Sequence, residues 1–322
     1  MRLAAEYVLP LRWEDDRELP ELTRYLASLS AVIDVTVVDG SPSALFAAHA
    51  AAWGDRVRHL APTVTTGANG KARGVLSGLA VARHELVVLA DDDVRHTRAT
   101  LAAVVAELAG ADVVVPQNVF RPLPWHARWD TARSLVNRAV AADYPGTYGV
   151  RRSALQRTGG YAADALFENL EMERTVRAAG GRVRVCRDLF VVRRPPTARH
   201  FRSQRVRQAY DSLAQPRRFA VELALAPALL ALRRRPAGLL AVLVLSVLLA
   251  ERGRRRDRGA GVFPRTSALW GPAWLAERAV TSWVALGLRL RGGVSYAGRR
   301  VVRAATPLRE LRRARPYRAP EI

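Results

Sequence analysis

Three carboxylates stand together at Asp91, Asp92 and Asp93. Asp91 and Asp93 are separated by Asp92 alone. Two oxygen donors so placed on an extended or tightly turning backbone suit a hard divalent cation such as Mg²⁺ or Mn²⁺. Taken alone, the run reads equally as a solvated acidic turn. Just before it, Leu86-Val87-Val88-Leu89-Ala90 is apolar without a polar break, the pattern of a strand buried on both faces. A buried strand that runs into acids puts charge at the carboxyl edge of a sheet, where open α/β folds bind their ligands.

Other residues carry compatible chemistry. Asp39 closes a second apolar run, residues 32–38, and precedes Gly40. Gly70-Lys71-Ala72-Arg73 brings two cations to a Gly-rich loop, where backbone N–H groups and side-chain charge can hold phosphates. It is not a P-loop, since the GxxxxGK[ST] spacing is absent, and no GxGxxG follows the first strand. Glu168-Asn169 and Glu171 open a helical stretch closed by Gly180-Gly181. Gln204-Arg205-Val206-Arg207-Gln208 lies in a basic helical stretch. His96 and Cys186 have no second soft ligand near them in sequence and read as structural.

The elements that must position these groups alternate. Strands are expected at 6–11, 32–38, 86–90, 112–116 and 182–192. Helices are expected at 20–30, 43–53, 97–108 with Thr97 as cap, 125–140, 167–179 and 201–210. Residues 147–161 read as a turn, a short helix and a Gly-Gly stop. Strand and helix alternating through short connections predict an α/β fold, a mostly parallel, Rossmann-like sheet flanked by helices.

Charge divides the chain of 322 residues, whose formal net is +22. Residues 1–192 hold 23 Lys and Arg against 22 Asp and Glu, a net of +1; residues 193–322 hold 28 Arg against 7 acids, a net of +21. Such a tail favours an anionic membrane surface or nucleic acid. Its apolar stretches and Trp270, Trp274 and Trp283 favour lipid and speak against nucleic acid. Residues 219–232 and 237–250 are apolar runs of 14 each, split by Arg233-Arg234-Arg235-Pro236. Each falls short of the roughly 20 residues a spanning helix wants, so two short helices lying in the interface, or a re-entrant hairpin, are expected. The start of the chain lacks the pattern of a signal peptide. The single Cys186 excludes an intramolecular disulfide and fits a reducing compartment. The expected division is 1–198 as the globular domain and 199–322 as a basic, apolar, helical, membrane-associated region.

In order along residues 5–210, these motifs resemble the family 2 glycosyltransferases of GT-A fold, particularly the membrane-associated branch of cellulose synthases and ceramide glucosyltransferase-like enzymes. The family's order is an acid after the second strand, a Gly/Lys/Arg loop, an Asp-X-Asp, a Glu-Asp helix and a QxxRW helix. The resemblance implies that Asp39 binds the nucleotide base, that Lys71, Arg73, Asp91 and Asp92 bind the donor, and that Asp91 and Asp93 hold Mg²⁺ or Mn²⁺. It implies that Gln204 and Arg207 serve the diphosphate and acceptor. Two positions depart from the family. Gln208 replaces Trp, removing an aromatic platform and weakening the case for a processive polymer synthase. Asn169 replaces the Asp that accepts the acceptor's proton, and an amide cannot do this. Glu168 first, or Glu171, is then the expected base.

The implied activity is inverting, metal-dependent transfer of a sugar from a nucleotide diphosphate sugar, a UDP-sugar first, to a lipid-linked or glycan acceptor at the cytoplasmic face of the cell membrane. Three rivals stand beside it. They are a polyprenyl-phosphate glycosyltransferase that needs no base, a nucleotidyltransferase, and a catalytically impaired nucleotide-sugar-binding protein.

Overall fold

Apolar runs broken by Gly, Pro and polar turns set the order of elements in the computed structural model, which describes residues 2–296 and 298–313. The first part runs β1 (Glu6–Leu11), α1 (Leu19–Ser30), β2 (Asp34–Asp39), α2 (Ser43–Trp53), β3 (Arg58–Leu60), α3 (Gly70–Val81), β4 (Leu86–Ala90), β5 (Val94–Arg95), α4 (Arg98–Glu107), β6 (Val113–Phe120), α5 (Trp125–Val140), β7 (Thr147–Arg151), α6 (Arg152–Gln156), α7 (Glu168–Ala178) and β8 (Val183–Arg193). Thr97 caps α4 as expected, accepting from Thr100 N–H while the Thr100 side chain bonds back.

Eight strands form one sheet in the order β3-β2-β1-β4-β7-β6-β8-β5. The chain moves outward from β1 to β3 and then returns to the other side of β1, so the switch in strand order lies between β1 and β4. The sheet is mixed rather than mostly parallel: β4–β7, β6–β7 and β5–β8 are antiparallel. Two of these pairings involve β7, where the sequence suggested a turn. Thr147–Arg151 instead pairs along the whole of β4. Its alternation is obscured because every residue from Thr147 to Val150 is buried.

The two-sided burial expected of β4 is present. Val88 and Ala90 face a core shared with Leu22 and Leu26 of α1, Trp53 of α2 and Leu101 of α4. Val87 and Leu89 face a second core with Val75 and Leu79 of α3, Leu155 of α6 and Met172 and Val176 of α7. Helices therefore clamp the sheet on both faces and fix the end of β4 in space.

After β8 come α8 (Ala198–Asp211), α9 (Pro216–Leu232), α10 (Pro236–Arg255) and α11 (Gly271–Leu290), then a hairpin of β9 (Val294–Tyr296) and β10 (Arg299–Val301) and a short α12 (Leu308–Arg313). The helices are docked on the first part. Leu170 of α7 shares a cluster with Tyr210, Phe219, Ala285 and Val301, and Leu135 of α5 shares another with Ala250, Phe263 and Trp274. α10 is longer than its apolar stretch because it continues through the charged residues Glu251–Arg255. Among the described residues it is the one helix long and apolar enough to cross a membrane, with 20 residues, and little of it is buried.

Gly253 fixes where α10 crosses α5. A Cβ there would lie 1.8 Å from Leu135 O, so the backbones could not stay in contact. Gly253→Ala should force the helices apart and lower stability by about 2 kcal/mol or more, by the usual cost of overpacking. Denaturant unfolding of the variant against the parent checks this.

Candidate active site

The carboxyl ends of β2, β1 and β4 lie along one edge, and this edge receives Asp39 and Asp91. Asp91 follows β4 directly and donates its backbone N–H to Gly146 O at 2.8 Å. A Cβ at Gly146 would sit 2.6 Å from Asp91 Oδ2 and 3.0 Å from Arg193 Nη1, so those side chains would have to shift.

Lys71 is the hub. It stands in the first turn of α3, whose cap Asn69 accepts from Ala72 N–H and donates to Ala165 O. From there Lys71 Nζ reaches Asp91 Oδ1 at 2.6 Å and Glu168 Oε1, at the head of α7, at 2.8 Å. Arg193, ending β8, closes the other side: its Nη2 lies 3.3 Å from Asp91 Oδ2 and its Nε donates to Asp93 Oδ2 at 2.9 Å. Burial works against the charge of Asp91, but Lys71 and Arg193 prevail and hold its carboxyl below the usual range. Burial would likewise pull Lys71 down, yet Asp91 and Glu168 keep it well above an ordinary lysine. Asp93 goes the other way. Burial raises it to about 6 against Arg193, with Asp91 and Asp92 adding repulsion.

Asp91 and Asp93 thus share one guanidinium, and Asp93 Oδ1 is buried without a hydrogen-bond partner. An orphaned carboxylate oxygen beside a second acid is a donor set a hard cation fits. Asp92 turns away and accepts from Trp13 Nε1 at 2.5 Å.

One cavity joins these groups to the helices that follow. It is lined by Lys71, Asp91, Asp93 and Glu168 together with Asn169, Gln204 and Arg207. Asn169 donates to Pro145 O at 3.1 Å, Gln204 meets His200, and the Arg207 guanidinium lies 4.7 Å from the centre of the Tyr296 ring. A wider outer cleft adds Arg73, Asp92, Trp13 and Gly40. Arg73 itself donates to Thr65 O.

Two expected residues line neither this cavity nor the outer cleft. Glu171, three residues further along α7, is fully buried, accepts from Thr306 N–H at 2.6 Å and lines a different cavity with Thr158 and Glu310. Asp39 is buried behind the cleft: Oδ1 accepts from Ser41 N–H, and Oδ2 lies 2.6 Å from His49 Nδ1 and 3.0 Å from His59 Nε2. Despite burial, the bonds from His59, His49 and Ser41 hold its carboxyl well below the usual range. Asp39, His49 and His59 are also the one group of three potential metal ligands clustered within 4.8 Å among the described residues. His96 is structural as expected, buried against Thr147 and Thr100 and lowered by burial to about 3.

Arg193 and Asp211 escaped the sequence reading. Arg193 ends a strand that looked merely basic at its edge. Asp211, which lines the main cavity, stands one residue beyond a stretch dominated by Arg.

A sequence profile of glycosyl transferase family 2 matches residues 17–190, more than half of the chain. No curated protein matches it. Among solved structures, the fold is similar to that of a mannosyltransferase from Pyrobaculum calidifontis in complex with GDP-Man and Mn²⁺, with a TM-score of 0.53, 21% identity and 88% of each chain covered. A glucosyl-3-phosphoglycerate synthase from Mycobacterium tuberculosis, in complex with Mn²⁺, UDP and glucosyl-3-phosphoglycerate, aligns with a TM-score of 0.42 and 17% identity, over 61% of this chain and 74% of that one.

Removing a buried partner strands its counter-charges. Lys71→Met leaves Asp91 and Glu168 without their shared cation and should lower stability by about 3 kcal/mol. Chemical denaturation at neutral pH reads this, and an unchanged midpoint would show the ion pairs to be energetically idle.

Proposed function

The chain belongs to glycosyl transferase family 2, and from that premise we propose that it transfers a sugar, with inversion, from a nucleotide diphosphate sugar to a lipid-linked acceptor at a membrane surface. The observation that carries the donor side is the Lys71–Asp91–Arg193–Asp93 network at the carboxyl edge of the sheet. Asp91 and Asp93 are the residues that would hold Mg²⁺ or Mn²⁺, and the bound ion would supply neutralising charge for the departing nucleoside diphosphate. Lys71, Arg193 and Arg207 border the same cavity and add fixed positive charge for the phosphates. The elements α3, β8 and α8 hold these cations at the cavity before a donor enters.

The acceptor side rests on the surface of the C-terminal helices. Val221 and Leu230 of α9, Leu240, Leu245 and Leu248 of α10, and Val280 of α11 are each more than half exposed. Arg233, Arg234 and Arg235 at one end of α10, and Arg252 and Arg255 at the other, are exposed beside them. Apolar side chains rimmed by arginine suit a layer of anionic lipid, with hydrocarbon under the helices and phosphates at the rim. The arrangement supports a cytoplasmic-face location and a lipid-linked acceptor.

A phosphate acceptor such as a polyprenyl phosphate is the second reading. It draws on Arg278, which lines the cavity and is 1% exposed, with Nε and Nη1 lacking hydrogen-bond partners.

Two measurements test the reading. Incubation with nucleotide sugars and Mn²⁺ should release a nucleoside diphosphate and never pyrophosphate, and Asp91→Asn with Asp93→Asn should reduce turnover by at least 100-fold, since removing charge-stabilising groups commonly costs that much. Pyrophosphate release would instead indicate nucleotidyl transfer. In flotation with vesicles containing anionic phospholipid, the protein should rise with the lipid, and Leu245→Glu with Leu248→Glu should leave most of it in solution. Equal flotation of parent and variant would remove α10 from the account.

A further inference from the structure

We infer that Asp211 is the base that takes the proton from the acceptor hydroxyl, in the place left open by Asn169. The inference rests on the glycosyltransferase reading above.

Five carboxylates line the main cavity: Asp91, Asp93, Asp130, Glu168 and Asp211. Four are engaged. Asp91 and Asp93 share Arg193, and Lys71 joins Asp91 to Glu168. Asp130 is held by Arg133 at 2.8 Å and Arg205 at 3.2 Å. Asp211 alone makes no side-chain hydrogen bond and no ion pair among the described residues, and its Oδ1 is a buried acceptor without a partner. A buried carboxylate oxygen left so is costly unless a ligand completes it.

Its position is set by the helix. Asp211 is the last residue of α8, four after Arg207 and seven after Gln204, a spacing that places all three on one face. Gln204, Arg207, Gln208 and Asp211 all line the cavity, and Arg207 Nε and Gln208 Oε1 are unpartnered too. The stripe presents its polar groups to the cavity and leaves them unpaired with one another.

Glu168 is poorly placed for the task, because its carboxylate is bonded to Lys71. Asn169 lines the cavity but offers an amide already donating to Pro145. Burial raises the Asp211 carboxyl to about 6 against the pull of Arg207, with Glu168 repelling it and Arg278 and Arg133 attracting it. A general base works best when its pKa lies near the operating pH. In the step itself, the acceptor oxygen forms its bond to the anomeric carbon as its proton passes to Asp211. The bond from that carbon to the β-phosphate oxygen breaks, and its electron pair leaves on the nucleoside diphosphate.

The test uses the full chain with Mn²⁺ and either UDP-glucose or GDP-mannose, water standing in for the acceptor, and reads free sugar. Asp211→Asn should lower hydrolysis by roughly 100-fold or more, the range typical of a lost base. Calorimetric binding of UDP or GDP with Mn²⁺ should be unchanged, and Asp211→Glu, which keeps a carboxylate, should retain measurable turnover. Hydrolysis by Asp211→Asn equal to that of the parent overturns the inference while leaving the donor site intact. Failure of the parent protein itself to bind or hydrolyse either nucleotide would overturn the glycosyltransferase reading on which the inference stands.

Discussion

The structure depends on holding the Asp91 carboxylate between two cations, Lys71 and Arg193, at the end of a strand buried on both faces. A charge in that position is expensive to take from water, and its attraction to one partner only partly offsets the cost. Two partners from different elements make it tenable. The same contacts join four parts of the chain: α3 through Lys71, the end of β4 through Asp91, α7 through Glu168 and β8 through Arg193. The site and the assembly of the fold are therefore one interaction. Gly146 belongs to it as well, since a Cβ there would press on both Asp91 and Arg193 where they meet.

The C-terminal helices complete this arrangement. α8 carries Gln204, Arg207 and Asp211 into the cavity, and its own position is set by Tyr210 and Ala209 packing with Leu170 of α7. The Tyr210 hydroxyl donates to Val302 O, tying α8 to the chain just after the β9–β10 hairpin. Tyr296 from that hairpin covers Arg207. The carboxyl edge of the sheet and the helices after β8 thus close on one cavity.

Much of this was legible in the sequence where a signal was local. The five apolar residues before Asp91 specify β4 and its two-sided burial, and Ala-rich spacing specifies α2 residue for residue. Other features depend on partners far away in the chain. β7 is buried on both sides but short and rich in Gly, Tyr and Thr, so nothing local separates it from a turn; its antiparallel place beside β4 comes from tertiary pairing. Arg193 is one of many arginines, and only the fold shows that it lies between Asp91 and Asp93. Glu168 and Glu171 look equivalent in sequence. Less than one helical turn separates them, yet their carboxylates take different partners, one Lys71 at the cavity and one the backbone of Thr306. Asp39 looked like an open ligand acid, yet two histidines 10 and 20 residues further on fold over it.

Those histidines define the sharpest alternative for where a metal would bind, because Asp39, His49 and His59 bring three potential ligands within 4.8 Å. A crystal of the full chain grown with UDP and Mn²⁺, with data collected at the manganese absorption edge, decides between the two places. The account predicts an anomalous peak against the carboxylates of Asp91 and Asp93, facing the cavity that Lys71 and Arg207 border. A peak among Asp39, His49 and His59, with none at Asp91 and Asp93, would contradict it.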